Sequence, residues 1–222
     1  MAISALIFDF DGVIADSETL ANLVLAEAVS ALGLPTTLDD ALGRYMGNRW
    51  PEAIALIESG IGRALPADFS GALKRTTLER FRTDLREVAG ATAFIRRFAH
   101  MPRCIASSSS LDRLQFSLDL LGLAGDFAQA VFSADMVPRG KPHPDLFLLA
   151  AQRLNVSSRD CLVIEDSAGG VRAGVAAGMT VLGLCAGSHI RPGHDVRLRE
   201  AGATHIARTW NEAAILVAKL LA

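Results

Sequence analysis

Cysteine, tyrosine and tryptophan are scarce in this chain: three, one and two residues in 222. Cys104, Cys161 and Cys185 are odd in number, widely spaced and form no CxxC pair, which excludes a disulfide framework and a zinc-thiolate site. Each lies in or beside an apolar run, so buried, reduced thiols are expected. An excess of one charge is missing too. The formal net charge is −2, and no block of like charges runs along the chain. That excludes the basic footprint of a nucleic-acid binder and an acidic tail, so no nucleic-acid partner is expected and any anion-binding power must be local. No apolar stretch reaches about 18 residues without a charge or turn signal, so no membrane span is expected. Ile3 to Phe8 is too short for a secretory apolar core, follows no positive segment and stops at Asp9. The expectation is a cytoplasmic protein. Nothing in these patterns fixes an oligomeric state, and a monomer is compatible with them.

What the chain does have is apolar residues, half of its length, ample for a folded core. Its length fits one large domain or a domain with an insert. Ala5 to Phe8 is a short continuous apolar run, the pattern of a strand buried on both faces of a parallel sheet. Asp9-Phe10-Asp11-Gly12 breaks it. From Ser17 the period turns helical, with Leu20, Leu23, Val24, Ala28, Ala31 and Leu32 recurring, Asp16 or Ser17 as cap, and Gly33 and Pro35 as stop. Residues 51–58 and 70–87 also carry helical patterns. Residues 16–86 hold no convincing strand and are predicted to form a helical insert. Strand signals return at 103–106, 130–132, 161–164, 180–184 and 204–207. Helices are predicted from near Leu111 behind a Ser109–Asp112 capping box, after Pro144, through the glycines from Gly169 to Gly178, and over 210–221. Strands alternating with helices predict an α/β fold with a mainly parallel sheet.

In such sheets, ligands bind beyond the carboxyl ends of the strands. Asp9 and Asp11 follow the first strand, Ser107 the second, and Glu165 with Asp166 the fourth; Lys141 lies downstream of the third. A parallel sheet gathers all of them at one edge. Four carboxylates that close repel one another unless a cation neutralises them, and hard oxygen ligands favour magnesium over zinc. Lys141 and Ser107 are then donors for a substrate phosphate. A metal-activated carboxylate can attack phosphorus and form an aspartyl phosphate. Alternate residues of an extended segment point to the same side. One of Asp9 and Asp11 would therefore attack while the other moves a proton.

These residues resemble the motifs of the haloacid dehalogenase superfamily. Asp9-Phe10-Asp11-Gly12-Val13 is similar to its DxDGx signature, and Ser107 after an apolar strand to its second motif. Gly140-Lys141-Pro142-His143-Pro144-Asp145 is similar to the third, and Glu165-Asp166-Ser167 to the fourth. Asp16-Ser17 fits the branch that includes β-phosphoglucomutase and small sugar-phosphate phosphatases. The resemblance implies a Rossmann-like three-layer core over residues 1–15 and 87–222, with an all-helical cap over 16–86. It implies Asp9 as nucleophile and Asp11 as general acid/base. It places magnesium on Asp9, the Asp11 backbone carbonyl and Asp166, with Glu165 assisting, and the phosphoryl group on Ser107, Ser108 and Lys141. The acid/base partner at position 11 argues against the dehalogenases proper.

The expected activity is hydrolysis of a small phosphorylated metabolite, a sugar or polyol phosphate. The same residues would serve a phosphomutase, and a catalytically silent binding protein is the alternative of another class. In the insert, Arg44, Arg49, Trp50 and Lys74 are candidate substrate contacts, set against the solvated state that is the default for charges on a helical insert. Arg49 and Trp50 lead because they follow Gly47 in an expected loop. Ser109 or Ser110 is expected to cap the helix after Ser107, and Asp166 the helix after the fourth strand. His143 is given no role. His189 and His194 are expected in a solvated loop.

Overall fold

A computed structural model of the chain describes residues 3–48, 50–127 and 130–221. It divides into two compact units, one of Met1–Asp16 with Arg86–Ala222 and one of Ser17–Leu85.

The first unit is an α/β fold. In chain order β1 is Ala5–Phe8, and the second unit then intervenes with α1 (Ser17–Ala31), α2 (Leu38–Arg44), α3 (Trp50–Ile61) and α4 (Phe69–Asp84). The first unit resumes with α5 (Ala91–Arg97), β2 (Arg103–Ser107), α6 (Leu111–Leu121), α7 (Ala124–Phe127), β3 (Val131–Ser133) and α8 (Asp145–Leu154). It ends with β4 (Cys161–Glu165), α9 (Ala168–Ala176), β5 (Thr180–Leu184), α10 (His194–Glu200), β6 (His205–Ala207) and α11 (Trp210–Leu221). The sheet has six strands in the order β3-β2-β1-β4-β5-β6, and every pairing is parallel. Phe8 stands opposite Ile105 of β2 and Ile164 of β4.

Strand alternation sorts the helices into two layers. Ala5, Ile7, Cys104, Ala106, Cys161, Val163 and Val181 share one apolar cluster with Leu146 and Phe147 of α8, Val171 of α9 and Leu198 of α10. Phe8 points the other way, and its ring lies 6.0 Å from that of Phe94 in α5, 5.8 Å from Phe127 in α7 and 6.1 Å from Trp210 in α11. The expected three-layer Rossmann-like core is what the chain forms. Its strand order reverses between β1 and β4, the place where open α/β sheets bind ligands.

The second unit is helical. Leu25, Ala26 and Val29 of α1 pack with Ala41 and Tyr45, with Ala53 and Ile57 of α3, and with Phe69 of α4. Thr37 starts α2 through a capping box: its hydroxyl accepts from the Asp40 N–H at 3.1 Å and the Asp40 carboxylate accepts from the Thr37 N–H at 3.0 Å. Trp50 opens α3, stacks on Phe69 at 6.4 Å with the rings 3° apart, and donates from Nε1 to Ser70 Oγ at 3.0 Å. Arg49 lies outside the described residues.

Several local expectations need correction. The helix of the second unit expected over 70–87 runs from Phe69 to Asp84. The short helices α2, α5 and α10 were not predicted, because a stretch of seven residues barely completes two turns of apolar period. Helix α6 does not begin on a Ser109–Asp112 capping box; Ser110 is its N-cap, without a side-chain hydrogen bond. Helix α9 is capped by Ser167, which accepts from the Gly170 N–H at 3.0 Å, and not by Asp166. Cys104 and Cys161 are buried, Cys185 is half-buried, and all three are free thiols. Burial pushes the Cys161 and Cys185 thiols up to about 11, which leaves them protonated and unreactive at neutral pH. No helix among the described residues is long and apolar enough to cross a membrane.

Candidate active site

The carboxyl edge of the sheet collects the charged residues. Asp9 is the first residue after β1, and its N–H donates to the Ile164 carbonyl of β4 at 2.9 Å. Glu165 ends β4 and Asp166 follows it. Ser107 ends β2, buried. Lys141 sits in the turn before α8 and reaches back across the edge. Its Nζ donates to Asp9 Oδ1 at 2.6 Å and to Glu165 Oε1 at 2.7 Å, and it stands 5.0 Å from the centre of the Phe147 ring. Glu165 Oε2 accepts from the N–H and the hydroxyl of Ser167 at 2.8 and 2.9 Å.

This cluster is deeply buried, and charge decides its character. Asp9, Glu165 and Asp166 are 7%, 0% and 4% exposed. Burial drives the Asp9 carboxyl well above its ordinary pKa; Lys141 offsets part of that, while Glu165 and Asp166 add to it. Asp166 is raised for the same first reason, with Glu165 next. Burial alone would lower the Lys141 pKa, but Asp9 and Glu165 outweigh it and hold the ammonium charged. Three carboxylates therefore face one ammonium, a formal −2 inside low-dielectric surroundings. Their ligand oxygens lie within 4.8 Å of one another. All-oxygen donors, buried and short of positive charge, fit a hard divalent cation.

Asp11 stands apart from that cluster. Its Oδ2 accepts from the Ser109 hydroxyl at 2.6 Å and its Oδ1 from Arg113 Nη2 at 2.6 Å. The serine loop is built to aim Ser109. Ser107 Oγ accepts from the Ser109 N–H at 3.1 Å, and the buried Ser133 hydroxyl donates to the Ser109 carbonyl at 2.8 Å. Ser108 is exposed beside Ser107. Of the two serines expected as the cap, Ser110 takes that position, and the Ser109 hydroxyl holds Asp11 instead.

His189 and His194 are not solvated, as expected from sequence, but 2% and 8% exposed. His189 Nε2 lies 3.0 Å from Asp166 Oδ2, and His194 Nε2 lies 2.5 Å from the Asp166 backbone carbonyl. Arg197 Nη2 stands 3.3 Å from His194 Nδ1. A guanidinium only donates, so Nδ1 is the acceptor and Nε2–H donates to the carbonyl. Burial lowers the His194 pKa, which favours this neutral tautomer. Gly12 explains how Asp166 comes so close to the DxDG turn: at φ 77°, a Cβ there would lie 2.0 Å from Asp166 Oδ2.

The predicted residues Asp9, Lys141, Glu165 and Asp166 are thus in one cluster, with Ser107 at the same edge and Asp11 in a neighbouring one. Trp50 belongs to the helical unit. Sequence reasoning missed Arg113, Ser109 as a holder of Asp11, and both histidines. Two signals pointed to them. Arg113 comes four residues after Ser109, one helical turn. The histidines follow β5, whose carboxyl end borders the same edge as those of β1 to β4.

A haloacid dehalogenase-like hydrolase family profile matches residues 3–178. The 6-phosphogluconate phosphatase of Escherichia coli is 28% identical over 191 residues, covering 86% of this chain and 86% of the relative. The fructose-1-phosphate phosphatase of the same organism is 32% identical, covering 79% of this chain and 93% of the relative. A solved haloacid dehalogenase family hydrolase from Deinococcus radiodurans, with bound phosphate and sodium, superposes with a TM-score of 0.84 at 31% identity, covering 99% of this chain and 96% of that one. The chain belongs to the haloacid dehalogenase-like hydrolases and is a phosphatase enzyme of that family.

Proposed function

We propose that the chain is a magnesium-dependent phosphatase that hydrolyses a small phosphorylated metabolite, a sugar or polyol phosphate, through an aspartyl phosphate on Asp9. The observation that carries this reading is the buried cluster of Asp9, Glu165 and Asp166 around Lys141 at the switch between β1 and β4. The sugar-phosphate phosphatases among the relatives support the substrate class.

In this mechanism an Asp9 carboxylate oxygen attacks phosphorus as the bond to the leaving oxygen breaks. Asp11 gives that oxygen a proton. Water then attacks the aspartyl phosphate; Asp11 takes its proton, the bond from Asp9 to phosphorus breaks, and phosphate departs with Asp9 restored. Lys141 holds Asp9 in place and, with Ser107 and Ser108, offers positive charge and donors to the phosphoryl oxygens. Asp9, the Asp11 backbone carbonyl and Asp166 would hold magnesium, with Glu165 assisting. Bound there, the ion would neutralise the crowded carboxylates and the transferring phosphoryl oxygens. The helical unit Ser17–Leu85 is the cap of this proposal, and Arg49 and Trp50 are its substrate contacts. The chain acts as a cytoplasmic enzyme.

The test is phosphate release from a panel of phosphorylated sugars, polyols, nucleotides and glycolate, with and without magnesium, beside Asp9→Asn. Release from a sugar or polyol phosphate, dependent on magnesium and lost in the variant, is the expected result. An isomerised phosphosugar in place of free phosphate makes the chain a mutase. Silence across the panel overturns the reading.

A further inference from the structure

The reaction just described uses neither His189 nor His194, yet both bear on Asp166. The place of the His189 ring is built. A Cβ on Gly12 would lie 2.7 Å from His189 Cε1, and one on Gly187 would lie 2.7 Å from both Cε1 and Nδ1. Either contact is closer than a carbon atom tolerates, so two glycines make room for one imidazole. The loop that carries the ring is pinned as well. Asp16 Oδ1 accepts from both the N–H and the hydroxyl of Ser188 at 2.9 Å. The Ile190 N–H donates to the Gly187 carbonyl at 3.1 Å, and Arg191 Nη1 donates to the carbonyls of Ser188 and Ile190 at 3.0 and 3.3 Å.

Asp166 is thereby gripped at two points. His189 takes Oδ2 of its carboxylate, and His194 takes its backbone carbonyl. With one lone pair of Oδ2 engaged by an imidazole N–H and the ring fixing the plane of the carboxylate, symmetric bidentate coordination is disfavoured and the carboxylate is turned to offer a cation one oxygen. That distinction matters for ion choice. Magnesium demands a tight octahedron of singly placed oxygens, whereas calcium accepts longer bonds, more ligands and bidentate carboxylates. Hydrogen bonds from outside the ligand set fix ligand orientation and tune metal affinity.

We infer that His189, backed by His194, is a positioning residue that holds Asp166 as a one-oxygen cation ligand and so biases the site toward magnesium over calcium. This inference rests on the magnesium reading above. The test is calorimetric titration of the full chain, free of substrate, with magnesium and separately with calcium. Wild type, His189→Leu, His189→Gln and Asp166→Asn are compared. His189→Leu is expected to weaken magnesium binding by about tenfold and calcium binding by much less, so the preference between the ions falls. A defect in folding would weaken both alike. His189→Gln keeps an N–H donor on a side chain of similar reach and is expected to recover most of the preference. Should the leucine variant not fold, His189→Asn, polar but too short to reach Oδ2, is expected to lose the preference in its place. Unchanged magnesium affinity in His189→Leu, or equal losses for the two ions, overturns the inference while leaving the metal site standing. Wild type that binds no magnesium overturns the magnesium reading and the inference with it.

Discussion

Asp9 and Asp11 are two residues apart in one turn, and their surroundings differ in kind. Asp9 lies inside a crowd of like charges: Glu165 and Asp166 on one side, a single ammonium from Lys141 to offset them. Asp11 lies among donors. A hydroxyl holds one of its oxygens and a guanidinium the other, and its side chain is 12% exposed. The first setting is electrostatically unfinished and suits a carboxylate that will share a cation and attack phosphorus. The second is electrostatically complete and suits a carboxylate whose orientation must be fixed for proton transfer. One turn holds both because alternation places the two side chains in one region while different strands and helices supply their neighbours.

The largest expected break in that contrast comes from Asp9→Asn. Turnover is expected to vanish, since the nucleophile is gone. Stability in EDTA is expected to rise, because the formal charge of the buried cluster drops from −2 to −1. Lys141 keeps Glu165 as its partner, so the change removes like-charge repulsion without stranding the ammonium. The sign with pH follows from linkage. The folded pKa of Asp9 lies above its ordinary value of 3.8, so the native chain keeps a proton that the unfolded chain releases. Wild-type stability therefore falls as pH climbs from that ordinary value through the raised one, and asparagine escapes the loss. Thermal denaturation of both proteins in EDTA across that range should show the gap widening as pH rises. A variant less stable than wild type at neutral pH would show that Lys141 neutralises the cluster by itself.

Arg113→Gln acts on the other aspartate and should have a smaller effect with a different signature. Removing a charged donor from a carboxylate costs roughly 1.5–3 kcal/mol, so turnover of a sugar phosphate is expected to fall at least about tenfold. The loss should depend on the leaving group. A sugar alkoxide needs the proton that Asp11 delivers, whereas p-nitrophenolate departs without one. In a single turnover, release of p-nitrophenolate is expected to stay close to the wild-type rate, while steady-state turnover of the same compound falls because water attack still needs Asp11 as base. Equal losses for both leaving groups in the first step would instead place Arg113 in phosphate binding or folding.

The strands and the Asp9 cluster were legible in the sequence because both are written locally. Ala5 to Phe8 and Cys161 to Ile164 are continuous apolar runs, and the carboxylates stand directly at their ends. Asp9, Glu165 and Asp166 needed only the inference that the sheet is parallel. Arg113, His189 and His194 were not legible in that way. Arg113 lies on the face of α6 that reaches Asp11, a matter of packing 102 residues away in sequence. His189 and His194 look like the solvated residues of a glycine-bearing loop until Asp16 pins that loop through Ser188. Two adjacent serines before a helix are equivalent cap candidates in sequence; here Ser110 takes the cap position and the Ser109 hydroxyl goes to the carboxylate, a contact set by packing.

Ser109→Ala gives the smallest and most discriminating effect. The serine is a neutral donor, so its bond to Asp11 is worth about 1 kcal/mol, a reduction of roughly fivefold in the turnover of a sugar phosphate. Its backbone bonds to Ser107 and Ser133 survive the change, so the loop should keep its shape. If Ser109 and Arg113 hold Asp11 jointly, each single variant leaves the other donor to keep the carboxylate near its place. The double variant releases both oxygens and is expected to lose more than the product of the two single effects. Steady-state rates of the four proteins on one sugar phosphate decide this. A double variant whose loss equals that product would mean that the two donors act on Asp11 independently, and that its orientation depends on the DxDG turn more than on its neighbours.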